Sequence, residues 1–321
     1  MSLGWRAALL VVVLPACGIH TVQPINPAAL DTSRLPKPDV RLSVPGLGPC
    51  HDGPDRTLAL NAAEPVTILV HGCFGSAGKF RELAQVLAFQ GQQTACFSYD
   101  DRDSLMKSSG ELATALQQFA RQLPRAEITV FGHSQGGLVA RKALIEDRPD
   151  AFDAATRLRL VTVSAPFAGI GAARPCGNTL LRFATLGLLD LSCWAVSGAK
   201  WHEITEASSF IRQPGRLLPQ VVQHLKIATD EAQICRRQDA NGKCLKDDFV
   251  FSLAEQYYPP VDQSPVVRAL DLRAGHAGVV GETGQVPEEL IAILQREGVI
   301  RPTAPERLSA FRRLLDRLYG G

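Results

Sequence analysis

From Pro65 onward, short β-branched runs alternate regularly with longer amphipathic segments, and this pattern leaves few folds open to the chain. The short runs are typical of buried strands, and the longer segments place their apolar residues on one helical face. The predicted strands span residues 66–71, 94–99, 127–131, 160–163, 225–229 and 266–272. The predicted helices span residues 79–88, 111–123, 138–146 and 288–296. This alternation predicts an α/β domain with a mostly parallel central sheet flanked by helices.

The alternation is interrupted between Ala165 and Val221, over a stretch too long for one simple crossover. Residues 179–194 in this stretch are largely apolar, which suits either a helix packed on the sheet or a cap over an active site. We predict a domain over residues 46–300 with a cap or lid insertion at about residues 170–221. Residues 301–321 repeat apolar side chains on one face and predict a C-terminal amphipathic helix.

The N terminus resembles an export signal. Arg6 precedes an apolar run and the small residues before Cys17, which predicts a signal peptide over residues 1–16. The run is far shorter than the roughly 20 residues that cross a bilayer. Leu14 to Cys17 also resembles the lipobox of bacterial lipoproteins, which implies lipidation of Cys17; an ordinary signal peptide with a nearby cysteine is the alternative. The Pro-rich residues 17–45 are interpreted as a lipidated tether.

The same resemblance implies where the protein resides. Gly18 follows the cysteine, which under the rule for Gram-negative lipoproteins implies the outer membrane, facing the periplasm or the surface. Export predicts an oxidising compartment, in which disulfide bonds form. Seven cysteines remain after Cys17, so at least one is expected to be unpaired within the chain. We favour Cys235–Cys244 and Cys176–Cys193 as pairs. The undecided cysteines are Cys50, Cys73 and Cys96.

Charge and motifs exclude several classes of partner. The chain has 34 Lys and Arg against 32 Asp and Glu, a net charge of +2, which is too small to favour nucleic-acid binding. Neither a dinucleotide-binding fingerprint nor a phosphate-binding P-loop is present, so no organic cofactor is expected. The cysteine spacings lack the pattern of a zinc site, and no metal is expected.

The strongest local motif is Gly132-His133-Ser134-Gln135-Gly136. It follows a predicted strand and precedes a predicted helix, which is the setting of a nucleophile elbow. In such a tight turn, side chains at the two glycine positions would collide with the neighbouring strand and helix. The turn exposes the Ser134 hydroxyl at the carboxyl edge of the sheet, where open α/β folds bind ligands. The motif therefore predicts Ser134 as a nucleophile; a glycine-rich turn needed only for packing is the alternative.

A second motif, His71-Gly72-Cys73, ends the strand that begins at Val66. The Gly lets the backbone bend so that an amide faces the same pocket as Ser134. Acyl transfer places negative charge on a carbonyl oxygen, which two backbone N–H donors commonly stabilise. We predict the amides of Cys73 and Gln135 as this oxyanion hole, with His71 shaping the loop rather than acting as a base.

The segments HGCFG, GHSQGG and GHAGV together resemble the α/β-hydrolase superfamily, in particular its bacterial lipases and esterases, over about Pro65 to Leu294. The resemblance implies a catalytic triad in the chain order Ser, acid, His. His276 is the only one of the seven histidines beyond the last predicted strand, and it is predicted as the base. A loop histidine without a catalytic role is the alternative.

Four carboxylates are candidates for the acid of the triad. Asp230 and Glu231 directly follow the predicted strand 225–229, and Asp247 and Asp248 follow the Cys235 to Cys244 loop. Asp247 to Val250 resembles the DGxV segment in which the first Asp is the acid of related lipases. We therefore predict Asp247, with Asp248 and Asp230 as the next choices; a solvated loop charge is the alternative for each of them.

These residues predict a serine hydrolase that cleaves carboxylic esters, of lipids or other small acyl compounds, through an acyl-enzyme intermediate. Ser164 to Gly169 resembles the TPHxG segment that lines the acyl side of the pocket in this family, which implies an apolar wall at Phe167; a Phe packed in the core is the alternative. An acyltransferase or thioesterase with the same triad, and a non-catalytic envelope lipoprotein of the same fold, are the other hypotheses. The expected partners are the ester substrate and, through Cys17, a membrane.

Overall fold

A computed structural model describes residues 30–123, 127–147, 152–173, 175, 185, 188–239 and 241–320. Its eleven strands in the described part of the chain are β1 (Val40–Leu42), β2 (Leu47–Gly48), β3 (Leu58–Leu60), β4 (Val66–Val70), β5 (Gln93–Phe97), β6 (Glu127–His133), β7 (Arg157–Val163), β8 (Val221–Asp230), β9 (Cys235–Gln238), β10 (Cys244–Asp247) and β11 (Val267–Arg273). Seven of them form the central sheet in the order β11-β8-β7-β6-β4-β5-β2. All neighbours pair in parallel except β2, which is antiparallel to β5. The predicted mostly parallel α/β sheet is therefore confirmed.

The helices of the described residues are α1 (Arg81–Phe89), α2 (Leu105–Gln122), α3 (Gln135–Ala143), α4 (Leu188–Ser197), α5 (Ser209–Arg212), α6 (Leu253–Gln256), α7 (Pro259–Asp262), α8 (Glu288–Arg296) and α9 (Leu308–Tyr319). No helix in this part of the chain is long and apolar enough to span a membrane.

The sheet separates two hydrophobic cores. In β4, Ile68 packs with α2 and α3 on one face, and Leu69 packs with α1, α8 and α9 on the other. Successive side chains of a strand point to opposite faces, so a strand covered on both sides reads as a continuous apolar run. The C-terminal helix α9 docks on the second face, where its Phe311, Leu315 and Tyr319 are buried.

The folded region begins before the predicted end of the tether at residue 45. Strand β1 pairs with β3, and Leu42 and Val44 are buried in the first core. The boundary is therefore corrected to an earlier residue. The alternation of Val40, Leu42 and Val44 indicates a half-buried strand, and the prolines on either side of it obscured this pattern in the sequence.

The insertion after β7 contains the helix α4, which begins later than the apolar stretch at residues 179–194; residues 176–184 lie outside the described part of the chain. A short 3₁₀ turn, Gly198–Trp201, follows α4. Arg102, in the loop after β5, fixes this region: its guanidinium donates to the carbonyls of Trp194 and Ala195, and its own carbonyl accepts from Ala199 at 2.7 Å. The end of α4 is thereby docked beside the carboxyl edge of the sheet.

Two disulfide bonds have both of their cysteines among the described residues. Cys235–Cys244 closes the hairpin of β9 and β10, as predicted, and Cys50–Cys96 joins the segment after β2 to β5. Cys73 and Cys193 are also disulfide-bonded. The predicted Cys176–Cys193 pair involves Cys176, which lies outside the described residues. None of the cysteines in the described ranges is free.

Candidate active site

Ser134 lies in the turn between β6 and α3 and has a strained backbone. Its φ of 56° and ψ of −128° are angles that a residue with a side chain rarely adopts. The amide of Ser134 donates to the carbonyl of Val163 at 2.9 Å, which fixes the turn to β7. Such strain persists only where the surrounding structure imposes it, and it is concentrated at functional sites.

The glycines around Ser134 are required by close backbone contacts. A Cβ on Gly132 would lie 2.4 Å from the carbonyl oxygen of Gly136, and a Cβ on Gly136 would lie 2.3 Å from that of Val70. Both distances are shorter than any ordinary van der Waals contact. The sequence argument that only glycine fits these two positions is therefore confirmed.

His276 lies in the loop after β11, and its imidazole reaches Ser134. The Nε2 atom is 3.0 Å from Ser134 Oγ, and the Nδ1 atom is 2.8 Å from Glu231 Oε1. A carboxylate only accepts hydrogen bonds, so Nδ1 carries the proton and Nε2 accepts from the serine hydroxyl. The structure thus joins Ser134, His276 and Glu231 in one hydrogen-bonded series, with His276 in the middle. Along the chain the three residues come in the order Ser, acid, His.

The Glu231 carboxylate is completely buried at the end of β8 and is surrounded by donors. Oε1 also accepts from Ser164 Oγ at 2.7 Å, and Oε2 accepts from the amides of Val250 and Phe251 at 2.7 and 2.9 Å. Burial alone would raise the pKa of Glu231, but the hydrogen bond from His276, the charge of the imidazolium, and the hydrogen bonds from the Phe251 amide and the Ser164 hydroxyl lower it. The carboxylate is therefore ionised and oriented toward the imidazole.

Ser164 extends the hydrogen-bonded series behind His276. Its Oγ is 2.9 Å from His276 Nδ1 and accepts from Thr229 Oγ1 at 2.7 Å. Ser164 is also strained, with a φ of 49°. This buried hydroxyl therefore touches both the imidazole and the carboxylate, a position that the sequence reasoning did not assign to it.

The prediction of Asp247 as the acid is corrected by this geometry. Asp247 is exposed at the end of β10, where it pairs with Cys235 in the hairpin, and Glu231 occupies the place beside His276. The hairpin leaves the sheet after β8 and directs Asp247 to solvent, whereas Glu231 directly follows the sheet strand. Asp230 is not the partner either; its carboxylate caps the amide of Ala232.

Asp248 has a different place in the site. Its carboxylate accepts from the amides of Ala277 and Gly278, the latter at 2.9 Å, and its carbonyl accepts from the amide of His276 at 2.8 Å. On the other side, His133 Nε2 lies 2.8 Å from the His276 carbonyl. Burial and the nearby His276 lower the pKa of His133 to about 3, so His133 is neutral and donates to that carbonyl. Asp248 and His133 thus fix the loop that carries His276.

The predicted oxyanion-hole residues lie on two segments next to Ser134. Gln135 is the first residue of α3, where amides lack intrahelical partners and the helix dipole is positive. Cys73 follows Gly72, on which a Cβ would lie 2.9 Å from Ser134 Cβ. His71 shapes this loop: its ring stacks on Tyr99 at 4.3 Å, and its carbonyl accepts from the Tyr99 hydroxyl at 2.6 Å. The oxyanion-hole role itself stays a prediction.

Other predicted positions are placed as follows. Phe167 is 4% exposed and belongs to the first hydrophobic core. It therefore packs in the core, which is the alternative given above to an apolar wall of the pocket. Cys17 lies outside the described residues. Within the described ranges, no group of three His, Cys, Asp or Glu side chains has a metal-binding arrangement.

Comparisons with known proteins agree with this architecture. A family model described as the alpha/beta hydrolase fold matches residues 65–168. Among solved structures, the mature form of Bacillus licheniformis lipase BlEst2 is 15% identical with a TM-score of 0.50, over 82% of this chain and 99% of that chain. Its propeptide form is 16% identical with a TM-score of 0.51, over 83% of this chain and 55% of that chain. No curated protein matches the sequence.

The parallel sheet, the strained serine between a strand and a helix, and the family match over residues 65–168 agree on one fold. The chain has the α/β-hydrolase fold.

Proposed function

We propose that this protein is a serine hydrolase that cleaves carboxylic esters, with Ser134 as nucleophile, His276 as general base and acid, and Glu231 as the acid of the triad. The observation that carries the proposal is the continuous series from Ser134 Oγ through the imidazole to Glu231, with links of 3.0 and 2.8 Å. These are hydrogen-bond distances at which a proton is transferred directly. A binding protein of this fold has no need of such a series.

The reaction follows from the positions of the three groups. Ser134 Oγ attacks the ester carbonyl carbon while its proton passes to His276 Nε2, and the carbonyl oxygen becomes an oxyanion facing the amides of Cys73 and Gln135. The tetrahedral intermediate collapses, the bond to the alkoxy group breaks, and the imidazolium returns the proton to that leaving oxygen. Water then attacks the acyl-Ser134 ester by the same proton route and releases the carboxylic acid. Glu231 keeps the imidazole in the reactive tautomer and stabilises its charged form.

The substrate class that we propose is a lipid or other acyl ester. Support comes from α4 in the insertion, where Leu188, Leu191 and Trp194 are 68%, 62% and 53% exposed. Their spacing places them on one side of the helix, and exposed apolar patches of this kind are common beside sites that bind apolar ligands.

We further propose that the protein is exported to the cell envelope as a lipoprotein anchored through Cys17. The two defined disulfide bonds support an oxidising compartment, where such bonds form and persist. Globomycin treatment of expressing cells, followed by metabolic labelling with a palmitate analogue, tests the anchor. Label that persists in a Cys17→Ala variant would contradict it.

The catalytic proposal is tested with p-nitrophenyl esters from acetyl to palmitoyl. Wild type is expected to hydrolyse them, with the preferred chain length reporting the size of the acyl site, and Ser134→Ala is expected to lose about 10⁴- to 10⁶-fold in kcat. Equal activity of the two proteins would contradict the role of Ser134. Product analysis with added alcohol or with thioester substrates separates ester hydrolysis from acyl transfer and thioester cleavage, which would use the same triad.

A further inference from the structure

A buried lysine from the insertion lies against the predicted oxyanion hole. Lys200 belongs to the 3₁₀ turn Gly198–Trp201 and is 1% exposed. Its Nζ donates to Gln135 Oε1 at 2.5 Å and to the carbonyl of Asp101, and it lies 3.2 Å from Cys73 Sγ. A single ammonium group therefore contacts the two residues whose amides are predicted to bind the oxyanion.

Asp101 connects the same ammonium to the loop after β4. Its Oδ2 lies 3.7 Å from Lys200 Nζ and accepts from the amide of Phe74 at 2.8 Å. Phe74 directly follows Cys73 and has a φ of 58°, so its backbone is held in the left-handed region. The Gln135 amide nitrogen Nε2 completes the network by donating to the Asp101 carbonyl at 3.0 Å.

A buried cation is costly unless it is paired and hydrogen-bonded, and removing Lys200 takes away the donor that Gln135 Oε1 and the Asp101 carbonyl share. The acceptors of Lys200 lie on the loop after β4, the loop after β5 and the start of α3. The lysine comes from the insertion itself, which Arg102 docks beside the sheet.

We infer that Lys200 is a positioning residue for the oxyanion hole. It holds the Cys73 and Gln135 segments at the spacing needed to bind the oxyanion. Full activity therefore depends on the docked insertion that carries Lys200. This inference rests on the proposed function for its kinetic consequence. Its structural consequence, a more mobile loop after β4 when the ammonium is removed, does not depend on activity.

The charge of Lys200 provides a second consequence. Burial lowers the pKa of Lys200 to about 8, while Asp101 and Asp100 raise it and Arg102 lowers it further. His71, also buried near this group, has a pKa that burial lowers and is neutral in the same pH range. Lys200 is therefore charged at pH 7 and loses its proton as the pH rises through 8. A decrease of about two- to tenfold in the kcat of wild type across this pH range is expected as the charge beside the hole is lost.

The test compares Lys200→Met and Lys200→Gln with Lys226→Met. Lys226 is a matched control because it is also 1% exposed and pairs with an acid, Asp262, at 2.5 Å, yet contacts neither Ser134 nor the predicted oxyanion hole. The Lys200 variants are expected to lose about 10- to 100-fold in kcat with KM changed less than about threefold, since a displaced oxyanion donor affects the transition state. The alkaline decrease in kcat is expected to disappear. Lys226→Met is expected to keep both kcat and the alkaline decrease.

Amide hydrogen exchange measured by mass spectrometry gives the readout that is independent of catalysis. Peptides covering residues 71–76 are expected to exchange at least about fivefold faster in the Lys200 variants than in wild type or Lys226→Met. Unchanged exchange in folded Lys200 variants would overturn the inference whatever the activity. If the variants do not fold, a wild-type kcat that stays constant from pH 7 to 10 overturns it. Equal activity of wild type and Ser134→Ala would instead contradict the proposed function. The hydrogen-exchange data would still test the positioning role of Lys200.

Discussion

Ser134 and Glu231 both follow strands of the central sheet, and the two positions are held in place by different means. Ser134 is fixed through its backbone, with a φ of 56° and glycines on both sides that contact neighbouring carbonyl groups. Glu231 is fixed through its side chain, whose two oxygens accept from His276, Ser164 and two backbone amides. The first position should therefore be sensitive to added volume, and the second to the loss of a polar partner.

The largest effect is expected from changing the carboxylate beside His276. Glu231→Gln keeps the size of the side chain but removes the charge that holds the imidazole in the reactive tautomer, and kcat is expected to fall by about 10³- to 10⁴-fold. Asp247→Asn is the matched control, because Asp247 is exposed on the hairpin, and it is expected to stay within about twofold of wild type. A larger loss in Asp247→Asn than in Glu231→Gln, measured on a short-chain p-nitrophenyl ester, would reverse the assignment.

Added volume beside Ser134 is expected to destabilise the fold. In Gly136→Ala the new methyl group would lie 2.3 Å from the Val70 carbonyl oxygen, and the free energy of unfolding is expected to fall by about 1–3 kcal/mol or more. Gly110→Ala in α2 is the control, since a Cβ there meets nothing within 4 Å. That substitution is expected to raise the free energy of unfolding by about 0.5–1 kcal/mol. Urea denaturation measures both values, and equal effects would contradict the steric account of the turn.

Loss of the Ser164 hydroxyl is expected to have a smaller effect on turnover. Ser164→Ala and Ser164→Gly both remove the donor to Glu231 Oε1 and the contact with His276 Nδ1, and each is expected to lower kcat by about tenfold. Only the glycine variant relieves the positive φ at this position, so it should be the more stable of the two. Different kcat values in the two variants would show that backbone strain, not the hydroxyl, supports the site.

The smallest expected effect is on stability at low pH. The pKa of Glu231 lies below its ordinary value, since the effect of His276 and the other donors exceeds the effect of burial. The unfolded state therefore binds more protons, and the stabilisation from this carboxylate is complete above about pH 4.3 and is lost as the pH falls further. Urea titrations of wild type and Glu231→Gln between pH 3 and 6 should show the two stabilities converging toward the acid end. A constant difference would contradict this sign.

The same contrast explains how much of the molecule could be predicted from its sequence. The β-branched runs predicted the parallel strands because strands covered on both faces require apolar residues throughout. Strand β2 was missed because a strand of two residues shows no periodicity. The Ser134 turn was predictable because its backbone admits only glycine at two positions. The role of Glu231 could not be predicted, because any carboxylate near the carboxyl end of β8 could accept from His276. Asp247 was chosen instead because its flanking residues resemble the DGxV segment. Lys200 and Ser164 are brought to the site by tertiary contacts that leave no local pattern.

The most direct test of the Ser134, His276 and Glu231 series is peptide mapping of the adduct formed with a fluorophosphonate at neutral pH. We predict one phosphonylated residue, Ser134, in wild type, no adduct in Ser134→Ala, and labelling of Glu231→Gln that is slower by about 10²-fold or more because the imidazole is less able to accept the serine proton. An adduct on another residue, or equal labelling rates in wild type and Glu231→Gln, would contradict the account.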